Sequence, residues 1–383
     1  MKIIIISHSS NKYGAELALL EMVDLIRRNH ECIVFVPNNG PLIEDFKKIN
    51  IKVQISKYSW WIHHKKDTLF KIIIKIILNI IYSIKTTLKI RRYKPDIIIS
   101  NSIVVNTGMI SSFFLQCPHL WFVHEFIKED PTMIFNFGEK LTMKMVNKYS
   151  NSVIVASKIL IEKYKKFIDS NKLKLIPFQN IKKPNINEKP LWPMQINKKY
   201  LKVIIIGSIQ ENKNQIMAID ALYELKKVGV KNIQLLIMGT GNEIYLSKLH
   251  NRVSEYKIEN QVSFLGYINN PYPYILSSDC LLVLSNFESF GRVTVEAMFC
   301  EKIIIASNNS GGTSDLIKDG DTGLLYTKGS LSDLVEKISY VYKNKNVAKK
   351  IGKRASEFSK RFSQPDGYYE KLNKLIKETV INK

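Results

Sequence analysis

The sequence predicts an α/β protein built as two Rossmann-like halves, each a mostly parallel sheet. Three observations carry this. Short apolar runs alternate along the chain with longer segments of helical periodicity, the rhythm a parallel sheet produces because each strand needs a crossover to the next. The rhythm stops over 180–199, a polar stretch holding Pro184, Pro190 and Pro193, and then resumes. The 383 residues are enough for two domains with a core each.

Taken in order, 1–6 reads as the first strand, 7–13 as a loop, and 14–28 as a helix whose Leu17, Leu20 and Ile26 fit a buried face. Strands follow at 32–36, 51–55, 97–100, 120–123, 153–155 and 173–176, with helices between them near 41–49, 68–92, 103–115, 138–149 and 157–168. The second series opens with a strand at 202–207 and continues at 233–239, 262–265, 280–284 and 303–307. The expected organisation is therefore a first domain over 1–183, a linker over 184–200, a second domain over 201–365 and a final helical segment over 366–383. Sheets of this kind bind ligands in a crevice at the C-terminal ends of their strands.

Composition narrows the partners. A formal charge of +23 implies attraction to phosphate-bearing substrates, anionic lipid or nucleic acid. No segment has the pattern of an RNA-recognition, KH or helix-turn-helix module, so no nucleic-acid partner is expected. Cys32, Cys117, Cys280 and Cys300 lie far apart and read as reduced thiols of a cytosolic protein. The run Ile3 to Ile6 is too short for a signal-peptide core. Residues 69–84 are strongly apolar, but Lys71, Lys75 and Asn79 draw a polar stripe that a spanning helix tolerates poorly. This helix is expected to pack on the sheet. Lipid contact stays open, since the basic flanks Lys65-Lys66 and 89–92 suit an anionic leaflet.

The most informative stretch runs from Ser285 to Met298, a turn and a helix after the apolar strand at 280–284. Glu288 lies in the turn, with Glu296 about two helical turns beyond it. Between them Phe290, Gly291, Arg292 and Val293 offer backbone N–H groups at the positive end of a helix dipole. An anion site flanked by two acceptors matches a nucleotide sugar, with its diphosphate between two polyhydroxylated rings. The plainer alternative is that Glu288 caps the helix and Glu296 is salt-bridged along it.

The form E-S-F-G-R-V-T-V-E from Glu288 to Glu296 resembles the E-x7-E signature of retaining glycosyltransferases of the two-domain GT-B fold, in particular glycosyltransferase family 4, the glycosyl transferases group 1. The resemblance implies two Rossmann-like domains facing across a cleft, with Glu288 touching the transferred sugar and Glu296 the donor ribose. It also implies that segment 366–383 packs back on the first domain. Gly207 to Lys213 is similar to the family's G-R-x-x-x-x-K element, in which the lysine holds the diphosphate. Ser208 stands where the family commonly has arginine, which shifts phosphate binding onto Lys213, with Asn212 or Arg292 as helpers. Read without the family, Lys213 is a solvated surface lysine.

Three elements of the first half complete the expected site. Gly14 occupies the family's glycine-rich loop, with Tyr13 where a second glycine often stands; a helix-opening glycine is the plainer reading. His124, at a strand end, matches a position that contacts the transferred sugar, and otherwise reads as structural. Tyr13, Trp60, Trp61, His63 and Asn101 are the acceptor candidates, since aromatic faces stack on sugars. Asp319 and Asp321 spell D-x-D without the strand context a metal site requires, and His63-His64 is too isolated to be one. No metal or other cofactor is expected.

The implied reaction moves a sugar from a nucleotide-diphospho-sugar to a saccharide or lipid-linked saccharide with retention. The setting would be the cytoplasmic membrane face, as in bacterial capsule, exopolysaccharide or lipopolysaccharide assembly. A nucleotide-sugar epimerase and a non-catalytic sugar-nucleotide or polysaccharide-binding subunit remain as alternatives.

Overall fold

Runs such as Ile3 to Ile6 form strands because β-branched side chains pack well on a pleated surface. A computed structural model of the chain describes residues 1–126, 134–185, 188–194 and 199–381. The chain divides into two compact units, Met1–Asn180 with Gln364–Lys383, and Ile181–Ser363.

The first unit runs β1 (Lys2–Ser7), α1 (Gly14–Ile26), β2 (Glu31–Val36), α2 (Leu42–Lys48), β3 (Lys52–Ile55), β4 (Ile62–His63) and α3 (Leu69–Arg91). It continues with β5 (Ile97–Asn101), α4 (Thr107–Leu115), β6 (His119–Val123), β7 (Ile134–Phe135), α5 (Gly138–Tyr149), β8 (Ser152–Val155), α6 (Lys158–Tyr164) and β9 (Leu173–Leu175). The second unit holds β10 (Leu201–Ile206), α7 (Gln215–Lys227), β11 (Ile233–Met238), α8 (Glu243–Glu255), β12 (Val262–Phe264), α9 (Tyr272–Ser277) and β13 (Cys280–Val283). Then come α10 (Arg292–Phe299), β14 (Ile303–Ser307), α11 (Gly312–Leu316), β15 (Leu324–Tyr326), α12 (Leu331–Lys343) and α13 (Lys345–Ser359). The chain returns to the first unit with α14 (Pro365–Ile381).

Each unit has a parallel sheet, so the fold is of the expected α/β class. The orders are β3-β2-β1-β5-β6-β8-β9 and β12-β11-β10-β13-β14-β15. In the first sheet successive strands lead outward in one direction from β1 and in the other from β5; in the second they do so from β10 and β13. These pairs are topological switch points, where flanking loops splay apart and leave room for a ligand.

Both faces of the first sheet are buried, which is why its strands read as unbroken apolar runs. Ile3 and Ile5 pack with Leu19 and Val23 of α1 and with Leu372 and Ile376 of α14. Ile4 and Ile6 face the opposite way, into a core with Trp121, Met143 and Val146. Helix α14 is thus part of the first unit's core. The region expected as linker is not bare chain: Trp192 is buried and donates to Gln234 Oε1 at 2.8 Å, inside the second unit. The short strands β4, β7 and β15 lie below the length at which periodicity shows.

Helix α3 departs from expectation. Its apolar side was expected to pack, yet its buried residues are Asn79, Ser83, Thr86, Thr87 and Ile90, while Ile73, Ile77 and Ile81 are exposed. Hydroxyl pairs cause the inversion. Thr86 meets Ser56 at 2.8 Å, Ser83 meets Thr107 at 3.0 Å, and Thr87 meets Ser111 at 2.8 Å. Asn79 Nδ2 donates to the Ser59 carbonyl at 2.5 Å, and Lys75 pairs with Asp67 at 2.5 Å. Satisfied polar groups fill this interface, so the apolar arc is left outward.

Thr87→Val is therefore expected to cost about 1–3 kcal/mol in urea unfolding, because it strands Ser111 inside the protein. Ile77→Ser is expected to stay within about 0.5 kcal/mol of the parent. The reverse ranking would show that α3 packs by its other face.

Candidate active site

The second unit's switch point is built from two loops. After β10 the chain passes Gly207 and Ser208 and enters a single 3-10 turn, Glu211–Lys213. After β13 it passes Ser285 to Gly291 before α10 begins. The two are clamped by Asn212, whose Oδ1 accepts from Phe287 N at 3.2 Å and whose Nδ2 donates to Phe287 O at 3.1 Å. This occupies Asn212 in holding the two loops together. The Lys213 stem crosses Gly207, and its Nζ donates to Glu288 Oε2 at 2.6 Å. Ser285 Oγ donates to the same carboxylate oxygen at 3.1 Å.

Backbone contacts fix Glu288. Its N–H donates to Ser310 O at 2.7 Å, and Gly312 N–H donates to its carbonyl at 2.6 Å. A Cβ at Gly311 would lie 2.2 Å from that carbonyl oxygen, so only glycine lets the loops come this close. Gly291 caps α10 with φ of +90°, a left-handed conformation in which a side chain would also strike Thr313 Oγ1. The helix starts only at Arg292, so Glu288 to Gly291 is an extended turn, and the expected two helical turns between the glutamates shrink to one. Glu296 lies one turn into α10 and accepts from Arg292 Nε at 2.9 Å. No side chain caps α10, whose first turn carries Arg292 and Val293. Phe290 turns its ring into the interior against Phe362, leaving its backbone to the loop.

Sequence reasoning missed Lys328. Its Nζ lies 4.1 Å from the Phe287 ring centroid and donates to Asn286 O at 2.6 Å, adding a cation beside this turn. It comes from beyond β15, so no local motif marks it. Ser208 uses its carbonyl to accept from Gln215 Nε2 at 2.9 Å. Asp319 accepts from Leu325 N at 2.7 Å and Asp321 pairs with Arg354 of α13 at 2.6 Å, so both D-x-D carboxylates are engaged with neighbouring elements.

The first unit's switch point gathers a second polar constellation. His8 follows β1 and forms an ion pair through Nε2 with Glu16 Oε1 at 3.0 Å, while its Nδ1 lies 3.1 Å from the Asn101 carbonyl. Glu16 is buried on α1 and also accepts from Ser9 Oγ; its Oε2 has no hydrogen-bond partner among the described residues. Asn101 Oδ1 meets His124 Nε2 at 2.8 Å, and Asn101 Nδ2 donates to Ala15 O at 3.2 Å. Glu125 ties the β5 and β6 loops together by accepting from Ser102 Oγ, Ile103 N and His124 N.

The acceptor candidates separate here. Trp60 is 40% exposed and donates through its ring N–H to His8 O at 2.9 Å. Trp61 is buried, stacked on Trp121 at 5.9 Å and bonded to Ile103 O, so its ring belongs to the core. Asn101 is likewise buried, with its side chain bonded to Ala15 O and His124. His63 meets Asn136 at 3.1 Å on the two-stranded β4–β7 ribbon. Tyr13 is exposed at the N-cap of α1, and a side chain at Gly14 would meet open space, so the backbone there makes no demand for glycine. His8 and Glu16 share the β1–α1 junction while Glu125 follows β6, and no single local motif marks the three. The weak signal was a polar His-Ser-Ser directly after the first strand.

Two parallel switch-point sheets, one of them carrying a clamped Lys213–Glu288 pair, have the α/β architecture of the GT-B fold. Residues 188–358 match the family described as Glycosyl transferases group 1. Over 370 residues the chain is 25% identical to the GalNAc-alpha-(1->4)-GalNAc-alpha-(1->3)-diNAcBac-PP-undecaprenol alpha-1,4-N-acetyl-D-galactosaminyltransferase of Campylobacter jejuni, covering 94% of each. In shape it is similar to Anabaena HepE in complex with UDP and glucose, with a TM-score of 0.79 and 19% identity over 99% of this chain and 100% of that one. It is also similar to sucrose-phosphate synthase from Thermosynechococcus elongatus, with a TM-score of 0.78 and 16% identity over 100% of both chains. At such identities the two structures speak for the fold. The family matched over 188–358 is the one that the Glu288–Glu296 stretch resembles.

The His8–Glu16 pair predicts a pH signature. Burial opposes charge on His8, but the hydrogen bond and charge of Glu16 outweigh it and raise the His8 pKa above its ordinary 6.5. Burial likewise opposes charge on Glu16, yet His8 and Ser9 bring its pKa below the ordinary 4.5. The His8 contribution to stability is full below pH 6.5 and lost as pH rises through the raised value. That of Glu16 is full above pH 4.5 and lost as pH falls through the lowered value. His8→Gln should therefore lower Tm most between those two values, with the difference from the parent shrinking by pH 9. An equal Tm deficit across that range would show that the pair carries no net charge.

Proposed function

We propose that the chain transfers a sugar from a nucleotide-diphospho-sugar to a saccharide or lipid-linked saccharide, with retention at the anomeric carbon and without a metal. The observation that carries this reading is the 2.6 Å pair of Lys213 and Glu288 at the second unit's switch point. A lysine ammonium has three N–H donors, and the bond to Glu288 uses one. The remaining donors, with the uncapped start of α10, suit the two phosphates. Glu288, fixed by its backbone bonds, is then placed to accept from sugar hydroxyls. Glu296, one helical turn into α10, is the candidate for the ribose.

Chemically, the bond between the anomeric carbon and the diphosphate oxygen breaks while the acceptor oxygen bonds to the same face. The acceptor proton passes to the leaving diphosphate. Lys213 stabilises the charge that develops on that leaving group, the role a metal would otherwise fill. The first unit's His8, Glu16 and His124, with the exposed face of Trp60, are the proposed contacts for saccharide hydroxyls and rings. Support for a lipid-linked acceptor comes from the Campylobacter jejuni relative, whose name specifies a saccharide on PP-undecaprenol. The proposed setting is surface polysaccharide assembly at the inner face of the cell membrane.

Glu288→Gln is expected to lower kcat by about 10²-fold or more while Tm stays within a few degrees of the parent. Near-parental turnover would remove Glu288 from the site. Activity in excess EDTA is expected to equal that in its absence, and a requirement for Mg²⁺ or Mn²⁺ would contradict the metal-free reading. The anomeric proton coupling of the product, read by NMR, should match that of the donor sugar; the opposite anomer would exclude retention. Donor binding without turnover on any acceptor would favour a binding subunit, the alternative that Ser208 in the arginine position keeps in view.

A further inference from the structure

The outward side of α3 presents a run of exposed apolar side chains on the first unit's surface. Phe70 is 73% exposed, and Ile73, Ile74, Ile77, Ile81 and Ile84 are exposed with it. At about 100° per residue these side chains fall on one arc of roughly 100°, opposite the hydroxyl-lined face that packs inward. The patch continues onto α4, which packs beside α3 and ends in the exposed Phe113 and Phe114. Phe113 in turn meets Tyr149 of α5 edge to face, and the two rings line a groove with Met109 and Ile110. Surfaces this broad and apolar are rare unless something covers them.

Charge identifies the occupant. Helix α3 has no acidic residue, and Lys71, Lys85 and Lys89 fall along one edge of the apolar arc. Lys65 and Lys66 precede the helix, and Arg91 and Arg92 end it. An apolar face bordered by cations alone complements a hydrocarbon layer beneath anionic headgroups, with lysine stems reaching outward to the phosphates. Two copies joined by this face would bring their lysine edges together, so self-association is disfavoured. Among the described residues no helix is long and apolar enough to cross a membrane, which leaves α3 lying in the interface plane.

We propose that the first unit docks on an anionic lipid bilayer through the outward arc of α3, extended by Phe113 and Phe114. The inference rests on this unit alone and stands apart from the transferase reading. Docking needs both components: the apolar arc enters the acyl boundary, and the lysine edge selects anionic headgroups.

The test is flotation of the full chain with vesicles of phosphatidylglycerol and phosphatidylcholine at about 1:3, and with phosphatidylcholine alone. The parent should float with the first and not with the second. The triple variant Ile73→Ser, Ile77→Ser, Ile81→Ser and the double variant Lys71→Glu, Lys85→Glu should each lose about tenfold in vesicle affinity. Their unfolding midpoints should be unchanged, since these side chains face outward. Failure of the parent to float with anionic vesicles would overturn the proposal, as would parental binding by the serine variant. So would a parent dimer that the serine variant dissociates, because a second copy would then own the face. Nucleotide release from a soluble donor reports on the second unit, so loss of flotation and loss of transferase chemistry are read separately.

Discussion

Glu288 can face Lys213 only because two loops touch backbone to backbone at Ser310, Gly311 and Gly312. A side chain at Gly311 would overlap the Glu288 carbonyl and push the two loops apart. The carboxylate, the lysine and the start of α10 all take their positions from this crossing. Asn212 closes the other side with its two bonds to Phe287. A site held by main-chain contacts on both flanks is pre-organised, which suits electrostatic catalysis: donors aimed in advance need not reorganise when charge develops.

The first unit repeats the plan with different chemistry. Its switch point lies between β1 and β5, and the loops there are joined by side chains: Asn101 to His124, Glu125 to Ser102 and Ile103, and His8 to Glu16. A buried carboxylate with one oxygen unpartnered is costly unless something balances it, and His8 is the group that does so. Burial lowers the His124 pKa, while Glu16 raises that of His8, so the two imidazoles of this constellation are shifted in opposite directions. That mixture of donors and acceptors fits a polyhydroxylated ligand better than it fits an anion.

What the sequence disclosed followed from locality. Glu288, Gly291, Arg292 and Glu296 lie in one strand–turn–helix, and Lys213 in another, so each was readable as a unit. The parallel strands were legible because burial on both faces leaves unbroken apolar runs. The partners of His8, Asn101 and Lys328 come from elements tens of residues away, and only the sheet order brings them together. Helix α3 shows a different limit. Periodicity revealed two unlike sides, but which side turns inward was decided by hydroxyls on Ser56, Thr107 and Ser111, outside the helix. Trp61 likewise looked like its neighbour Trp60, and one step along the chain separates a core ring from an exposed one.

The central claim is that Lys213 and its surrounding loops hold a nucleotide-diphospho-sugar. It is tested most directly by incubating the parent and Lys213→Met with UDP-, GDP-, ADP- and dTDP-sugars, without acceptor and with EDTA present, and following released nucleotide. Slow release from one donor by the parent, absent in Lys213→Met, is the predicted result. Release from none of them, with no thermal stabilisation by any of the four nucleotides, would contradict the account.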